Sequence, residues 1–321
     1  MAPIAPIPPT AIAHPADEPF AISIDSPDVA APAPAPARPR ICARMDLEFT
    51  YDADHGRTRL RSSHQEPPLK AVRAFAAADG AALLHLHNVS GGLLGGDQLS
   101  LNAKLGPGAM VQLTTTGATR IYRPRTEAPP ATQTNEVTVG ESAQLEYVPD
   151  PIIPYAGARF SQRTSIHLAA GAGLFWWEIL SPGREAHGEV FQYACMEVRT
   201  DVTARGRPIC SERVRLQPRQ HDLSSAARMG NYRYWATFYV CRVGIEPSAW
   251  RALEDRVRER SAAFQPVGEA RWGVSTLSSD GLVIRGMAHH GRDAYSGLLA
   301  FWRVAKQALY GQEPVLPRKV Y

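Results

Sequence analysis

Apolar and polar residues alternate strictly along this chain in runs of strand length. In residues 99–105, Leu or Ala occupies every second position, and Ser, Asn and Lys lie between them. A period of two places the apolar set on one face of an extended chain, which predicts a half-buried β-strand. The Gly-Pro-Gly turn at residues 106–108 ends any regular element and connects this strand to the next.

Comparable runs cover most of the chain after Ala43 and predict a mainly β protein. Residues 233–243 combine aromatic and β-branched side chains, which is typical of a sheet. Ser-Asp-Gly at 279–281 has the composition of a hairpin tip between residues 274–277 and 282–287. The other predicted strands are residues 81–89, 110–116, 133–139, 143–148, 159–168, 174–180, 190–200 and 207–216. So many strands with about two α-helices favour a layered or helically coiled β-strand architecture.

Two segments show helical spacing instead. The first begins near Pro247, a residue tolerated in a first turn, and apolar residues follow on one face. The second lies near the C-terminus, where an apolar stripe covers residues 295–309. Asp293 is placed to cap the start of this last helix, and Gly311 is placed to end it. A shorter helix is a further expectation for residues 223–229.

The composition changes sharply near residue 40. Residues 1–40 hold 11 of the 27 prolines, many in Ala-Pro alternation. Such a segment has too little apolar surface to offset the entropy of ordering, so we predict a disordered Pro/Ala-rich tail. Residues 41–321 are predicted to form a single β-rich domain.

The charge balance and the cysteines bound the class of protein. Lys and Arg number 35 against 31 Asp and Glu, and a nucleic-acid binder usually concentrates more positive charge than this. The four cysteines form no C-x-x-C pair, so free thiols in a reducing cytosol are expected. The sequence has neither an apolar run of membrane-spanning length nor the pattern of an export signal. We therefore expect a cytoplasmic protein that binds neither nucleic acid nor membranes.

Two glycine pairs make residues 88–97, Asn-Val-Ser-Gly-Gly-Leu-Leu-Gly-Gly-Asp, the most unusual local motif. Glycine permits positive φ and close approach of the backbone, so the motif is compatible with a tight turn or with a phosphate loop. A phosphate loop lacks support, because no Gly-Lys-Ser/Thr follows and the next segment is a strand. Asp97 lies at the edge of this turn, where its carboxylate can bond the turn or line a polar site.

Glu178 follows two tryptophans on a strand-like run. If its side of the strand faces inward, the carboxylate must be paired or hydrated, because an isolated buried charge is costly. Glu178 and Glu189 can also be read as the acid/base pair of a β-rich carbohydrate-active enzyme, although such spacing is common by chance. A β-rich module that only binds a partner protein is a second alternative.

His85 and His87 are spaced i,i+2 on a predicted strand and are expected to share a face. Imidazole and carboxylate groups both suit Ni(II), so these residues are a weak metal signal. No Cys/His set has zinc-finger spacing, and no tightly bound cofactor is expected. His85 and His87 are compatible with transient contact with a transition metal such as Ni(II).

Three prolines stiffen the middle of residues 145–160. Because proline fixes φ and removes a donor, this segment is predicted to be a turn or an edge and not a central strand. A rigid corner and a docking surface both fit this pattern. Tyr147, Tyr155 and Phe160 are the aromatic residues expected to be exposed there.

In their order along the chain, these pieces resemble the UreD/UreH urease accessory family. The matching motifs are GG-x-x-GGD in residues 88–97, TT-x-GATR-x-YR in 114–123, LEY-x-PDP-x-IP-x-AGARF in 145–160, and WEI-x-SPGR with a following GE in 177–189. The resemblance continues through residues 211–216 into residues 301–303, so it covers roughly Ala43 to Arg303. Several long motifs in one order make it specific.

The resemblance implies a cytoplasmic, non-catalytic scaffold. Family members bind apo-urease subunits on one side and UreF on the other, and UreF engages the GTPase UreG, which carries the nickel. An internal polar tunnel for the metal is also implied. By motif position, the residues matched to this nickel path are Asp97, Glu178, Glu212 and Thr119. The residues expected to bind partners are Asp150, Tyr155, Arg159, Phe160 and Arg184.

Overall fold

A computed structural model of the chain describes residues 40–77, 79–124, 128–262 and 269–317. The tail predicted for residues 1–40 lies, apart from Arg40, outside the described residues. In the described residues there are two α-helices, α1 at Pro247–Ala262 and α2 at Gly291–Tyr310. Short 3-10 helices cover Ala53–His55 and Glu185–His187.

Eighteen strands lie in the described residues, and they are numbered along the chain. The first nine are β1 (Cys42–Asp52), β2 (Arg57–Gln65), β3 (Leu69–Lys70), β4 (Ala74–Ala76), β5 (Ala82–Asn88), β6 (Gln98–Leu105), β7 (Met110–Thr115), β8 (Thr119–Ile121) and β9 (Ala131–Val139). The others are β10 (Gln144–Tyr147), β11 (Ile152–Pro154), β12 (Arg159–Leu168), β13 (Gly173–Leu180), β14 (Cys195–Ala204), β15 (Arg207–Leu216), β16 (Tyr234–Arg242), β17 (Ala270–Thr276) and β18 (Gly281–Ala288).

The strands form two sheets. The first sheet has the order β15-β14-β12-β9-β6-β1-β2, in which the five inner strands are parallel and the two edge strands are antiparallel. The second sheet follows the path β17-β18-β16-β13-β10-β7-β5-β3, with β4, β8 and β11 attached beside it. Its members β5, β7, β10 and β13 are parallel.

The chain passes repeatedly from the first sheet to the second and back. β6, β9 and β12 lie in the first sheet, and the strands that follow them, β7, β10 and β13, lie in the second. The three corners at residues 106–109, 140–143 and 169–172 are short, and Gly108 and Gly171 take positive φ there. Each circuit adds one parallel strand to both sheets. The prediction of a mainly β protein with a layered or helically coiled arrangement of strands is therefore confirmed, as is a last helix near the C-terminus.

The helices make a third layer on the outer face of the second sheet. α2 packs on β13, β16 and β18, and α1 packs on β17 and on α2. Trp302 of α2 meets Trp177 of β13 edge to face, with ring centroids 5.6 Å apart. As a result every residue of β13 is buried, because the helices cover one face and the first sheet covers the other.

Several local predictions are wrong. The residue that precedes α2 is His290, not Asp293, which lies inside the first turn. Residues 223–229 form turns and no helix. The strand predicted for residues 190–200 begins later, at Cys195. The proline-rich segment contains β11, which pairs with β8 on one side and β13 on the other, so it is not an edge.

Candidate functional site: a polar band between the two sheets

A band of polar side chains separates two apolar clusters inside the sandwich. Along β12, Phe160 belongs to one cluster and Ile166 to the other, and Gln162 and Thr164 lie between them. The same order recurs on neighbouring strands. We call this set the polar band; its members are Gln133, Asn135, Gln162, Thr164, Glu178, Thr200, Glu212, Thr237 and Arg285.

Strand register arranges much of the band in two facing rows. On the first sheet, Thr164, Thr200 and Glu212 are side by side on β12, β14 and β15. On the second sheet, Glu178, Thr237 and Arg285 are side by side on β13, β16 and β18. Contacts close the gap at both ends: Gln162, adjacent to Thr164, donates to Glu178 Oε1, and Arg285 Nε donates to Glu212 Oε1 at 2.7 Å.

The middle of the band holds polar atoms that are buried without partners. Glu178 Oε2, Thr200 Oγ1 and Thr237 Oγ1 are inaccessible and make no hydrogen bond to any described residue. Their residues are 5%, 1% and 0% exposed. Native interiors leave few such groups, and a cluster of them calls for water, an ion or a functional reason. The band therefore has unused oxygen donors where a cation could be held.

Glu178 is the most perturbed carboxyl group of the band. Burial raises its pKa to about 7. The nearby indole N–H of Trp176 and the amide of Gln162 oppose this rise, and the charge of Glu212 adds to it. A carboxyl group that loses its proton near neutral pH can exchange a proton for a cation without a large change in free energy.

Two neighbouring cavities lie on the Glu178 side of the band. The larger, 290 Å³, is lined by His87, Asn88 and the turns beside them. The smaller, 20 Å³, is lined by Glu178, Gln162 and Asp150. Three residues line both cavities: Thr119, Gln133 and Tyr147. The two cavities are thus neighbours on the Glu178 side of the band, which we call its entrance side.

Glu212 closes the other side of the band. Its Oε2 accepts a hydrogen bond from the Tyr239 hydroxyl at 2.5 Å, and its Oε1 accepts from Arg285. Burial, followed by the charges of Glu212 and Glu178, raises the pKa of Tyr239. Tyr239 therefore stays a donor, and both oxygens of Glu212 are occupied.

Of the residues matched to the nickel path, Glu178, Glu212 and Thr119 lie in the band or at its entrance, and Asp97 does not. The Asp97 carboxylate accepts the backbone N–H of Ile41 at 3.1 Å and of Leu94 at 2.9 Å. It therefore fixes the glycine turn to the start of β1. Of the two uses that the sequence left open for Asp97, the structure shows bonding of the turn.

The histidine pair is divided between two surroundings. His87 lines the larger cavity, and burial together with the charge of His85 lowers its pKa. His85 packs edge to face with Phe75, at 6.2 Å between ring centroids. Within the described ranges, no three His, Cys, Asp or Glu side chains come together as a closed metal site. A metal role for this pair stays a prediction.

The residues predicted to bind partners lie in different places. Arg184 stacks on Tyr155, 4.1 Å from the ring centroid, and Asp150 bonds Thr115 beside the smaller cavity. Arg159 donates to the carbonyl of Ala128. Phe160 is 1% exposed and lies in the core.

Exposure of Tyr147 and Phe160 is therefore a wrong prediction, because both side chains fill space between the sheets. Tyr147 is buried and stacks on Trp176, with ring centroids 4.0 Å apart. Tyr155 is half-buried and remains the aromatic residue of this group with an accessible face. Partner binding by the surface residues stays a prediction.

The carboxylates of the alternative enzyme do not share a site. Glu189 forms an ion pair with Arg184 and accepts the backbone N–H of Ala156, which lowers its pKa. Glu178 lies in the smaller cavity, which Glu189 does not line. A glycosidase needs both groups beside one sugar bond, so the geometry does not support this alternative.

Sequence reasoning missed Gln162, Thr200, Thr237 and Arg285. Each is a polar residue that interrupts the apolar face of a predicted strand, and this interruption is the signal that could have found them. Thr164 and Asn135, which bond each other at 3.0 Å, interrupt their strands in the same way. The interruptions became meaningful only when the strands were aligned in register.

The fold and the site together define a β-rich coiled sandwich with an internal polar band beside two cavities. Among the described residues, no helix has both the length and the apolar character needed to cross a membrane. The family model described as "UreD urease accessory protein" matches residues 42–321. This chain belongs to that family, and its function class is an accessory role in urease maturation.

Relatives that match 67–88% of this chain carry the same name, "Urease accessory protein UreD". The protein of Herpetosiphon aurantiacus is 47% identical over 282 residues, which cover 88% of this chain and 97% of the relative. The protein of Klebsiella aerogenes is 30% identical over 276 residues, which cover 86% and 95%. The protein of Lysinibacillus sphaericus is 30% identical over 217 residues, which cover 67% and 81%.

Proposed function

We propose that this protein is a non-catalytic, cytoplasmic scaffold of urease maturation that gives Ni(II) a route through the polar band. In this proposal it binds apo-urease and recruits UreF, and through UreF the GTPase UreG, for GTP-dependent nickel insertion. Family membership supports the maturation role. The route is supported chiefly by the unpartnered, buried oxygens of Glu178, Thr200 and Thr237, which lie in one band.

The chemistry of the band suits a passing ion better than a stored one. Ni(II) accepts oxygen and imidazole ligands, and the band offers oxygens spread over several strands and His87 at the entrance. A closed set of ligands would hold the ion too tightly to release it. The cavities on the entrance side have room for water, which lowers the cost of bringing a divalent charge inward.

The test is reconstituted activation of apo-urease with the partner proteins, Ni(II) and GTP. Glu178→Ala is expected to leave assembly of the complex intact and to lower the nickel content and activity of the urease severalfold. Glu136→Ala is the matched control, because Glu136 is half-exposed and pairs with His167. Normal nickel loading by Glu178→Ala would contradict the route. Multiple turnover of a small molecule by the purified chain would contradict the non-catalytic role.

A further inference from the structure

Arg285 stands where the polar band reaches the edge of the sandwich. Its neighbour in register on β16 is Thr237, and its guanidinium reaches across to Glu212 of β15 in the other sheet. The Arg285 side chain is 45% exposed, whereas that of Glu212 is 14% exposed. The ion pair therefore joins β15, the edge strand of the first sheet, to β18, the neighbour of the edge strand β17 in the second. The carboxylate lies inside and the guanidinium at the surface.

This contact closes the band to cations in two ways. Both carboxylate oxygens of Glu212 are occupied, one by Arg285 and one by Tyr239, so Glu212 has no strong acceptor free for a metal ion. The hydrogen bond to Glu212 also raises the pKa of the guanidinium, so Arg285 is always positively charged. A divalent cation that approaches this end meets a fixed positive charge and an occupied ligand.

The two ends of the band are thus unlike. On the entrance side, cavities of 290 and 20 Å³ reach Glu178, and their lining includes carboxylate, imidazole, amide and hydroxyl groups. On the Arg285 side, a charged pair spans the gap. A half-exposed arginine can turn outward at modest cost, because an exposed ion pair contributes little and water replaces its hydrogen bonds.

We propose that Arg285 is the gate of the edge end of the band, and that a carboxylate of a docking protein opens it by taking the guanidinium from Glu212. This inference rests on the proposed function. Removal of Arg285 frees Glu212 Oε1 and withdraws the repelling charge, so the last carboxylate of the route becomes a ligand. Only a partner with an acidic group that reaches Arg285 beside the edge strand β15 fits this role.

The experiment adds a chelator to the activation assay. Ni(II) is supplied to the complete activation mixture, and a bulky nickel chelator that cannot enter the band is titrated in. Nickel per urease active site is measured by mass spectrometry. When activation is expressed relative to each protein's own level without chelator, we expect Arg285→Gln to lose activation at a chelator concentration roughly fivefold lower than the wild type does. This ratio is what the loss of one partly exposed ion pair would give.

Three further variants sharpen the comparison. Arg285→Lys keeps the charge and should restore part of the protection. Tyr239→Phe loosens Glu212 with little change of shape and should shift the midpoint in the same direction by less. Arg213→Gln is the matched control, because Arg213 of β15 pairs with Glu197 of β14, is 59% exposed and lies outside the band. It should behave as the wild type.

The outcomes separate the gate from the route. Equal chelator midpoints for Arg285→Gln and the wild type would overturn the gate. Loss of activation by Arg285→Gln even without chelator would overturn it too, because the residue would then be needed for transfer or folding. Neither result touches the route, which fails if Glu178→Ala activates urease normally in the same assay. If Arg285→Gln does not fold, Tyr239→Phe decides the question alone.

Discussion

Burial makes the charged form of the Glu178 carboxyl group unfavourable, and its surroundings compensate this cost only in part. One carboxylate oxygen has an amide partner and the other has none, and the pKa is raised to about 7. The folded state therefore binds this proton more tightly than the unfolded chain, in which the pKa is near 4.5. The contribution of Glu178 to stability is fully present below pH 4.5 and is lost as the pH rises to about 7.

This sign gives a prediction for Glu178→Gln, which keeps the shape and the acceptor for Gln162 but cannot ionise. Relative to the wild type, the free energy of unfolding of Glu178→Gln should rise by up to about 3 kcal/mol between pH 5 and pH 8. Urea denaturation at both pH values measures it. If the free energies of unfolding of the two proteins differ by the same amount at pH 5 and at pH 8, Glu178 does not titrate in this range.

Asp97 shows the opposite use of a buried carboxylate. The sequence identified it as part of an unusual glycine turn, and the structure shows why an acid is there: two backbone N–H groups point at it. A charge that accepts such bonds is stabilised where it lies. The motif that carries Asp97 thus fixes the loop between β5 and β6.

At the scale of elements, alternation of apolar and polar residues identified the strands. Strands that do not alternate are those covered by other layers on both faces. β12 alternates along its length, because one face meets the core and the other meets solvent. β13 does not alternate, because helices cover its second face. β11 tolerates its proline, since Pro154 is the last residue of a three-residue strand.

The position of α2 against the second sheet depends on two glycines that flank the indole ring of Trp272. A Cβ atom at Gly297 of α2 or at Gly286 of β18 would overlap the ring of Trp272, so the helix can approach the sheet only without side chains there. Because Trp272 is 8% exposed and packed among other aromatics, its ring has little room to move. The close contact between α2 and the sheet thus depends on the lack of a Cβ atom at Gly286 and Gly297.

Gly297→Ala is therefore expected to destabilise the protein by about 1–2 kcal/mol. Overpacking costs more than the gain of up to about 1 kcal/mol that alanine brings to a helix interior. Thermal and urea denaturation measure the change. Ser296→Ala, at an exposed position of the same helix, is the control and should be neutral or slightly stabilising. A smaller loss in a Trp272→Leu background would confirm the cause.

At the scale of the whole molecule, the polar band divides what could have been one continuous core. Apolar residues at the middle positions would join the two clusters and stabilise the sandwich. The observed residues leave three buried oxygen atoms without partners instead. In this fold, residues that would make the protein more stable would thus remove the polar route.

The double variant Thr200→Val, Thr237→Val tests this opposition. Replacing two unpartnered hydroxyls by methyl groups should raise the free energy of unfolding by about 1–2 kcal/mol, and nickel delivery should fall. Thr164→Val is the control: its hydroxyl accepts from Asn135, so the same change should lower stability by about 1 kcal/mol. Denaturation and the activation assay give the two readouts. Unchanged delivery in a stabilised double variant would remove the band as the route.

Local chemistry let the sequence determine most strands, both helices and the family. Alternation, turn glycines and helical stripes act over a few residues, and the motifs lie within single segments. Glu178 and Glu212 could be identified in the same way, as acids in matching motifs. Gly311 ends α2 in the left-handed conformation, as the sequence predicted.

Only the tertiary structure decided what those residues do together. The band joins positions from Gln133 to Arg285. Strand register places Thr200 beside Glu212 and Thr237 beside Arg285, and the packing of the two sheets brings Arg285 to Glu212. No local pattern specifies such pairs, because a shift of one residue turns each side chain to the other face. Burial, which raises the pKa of Glu178 and hides Phe160, is likewise a property of packed layers and not of any segment.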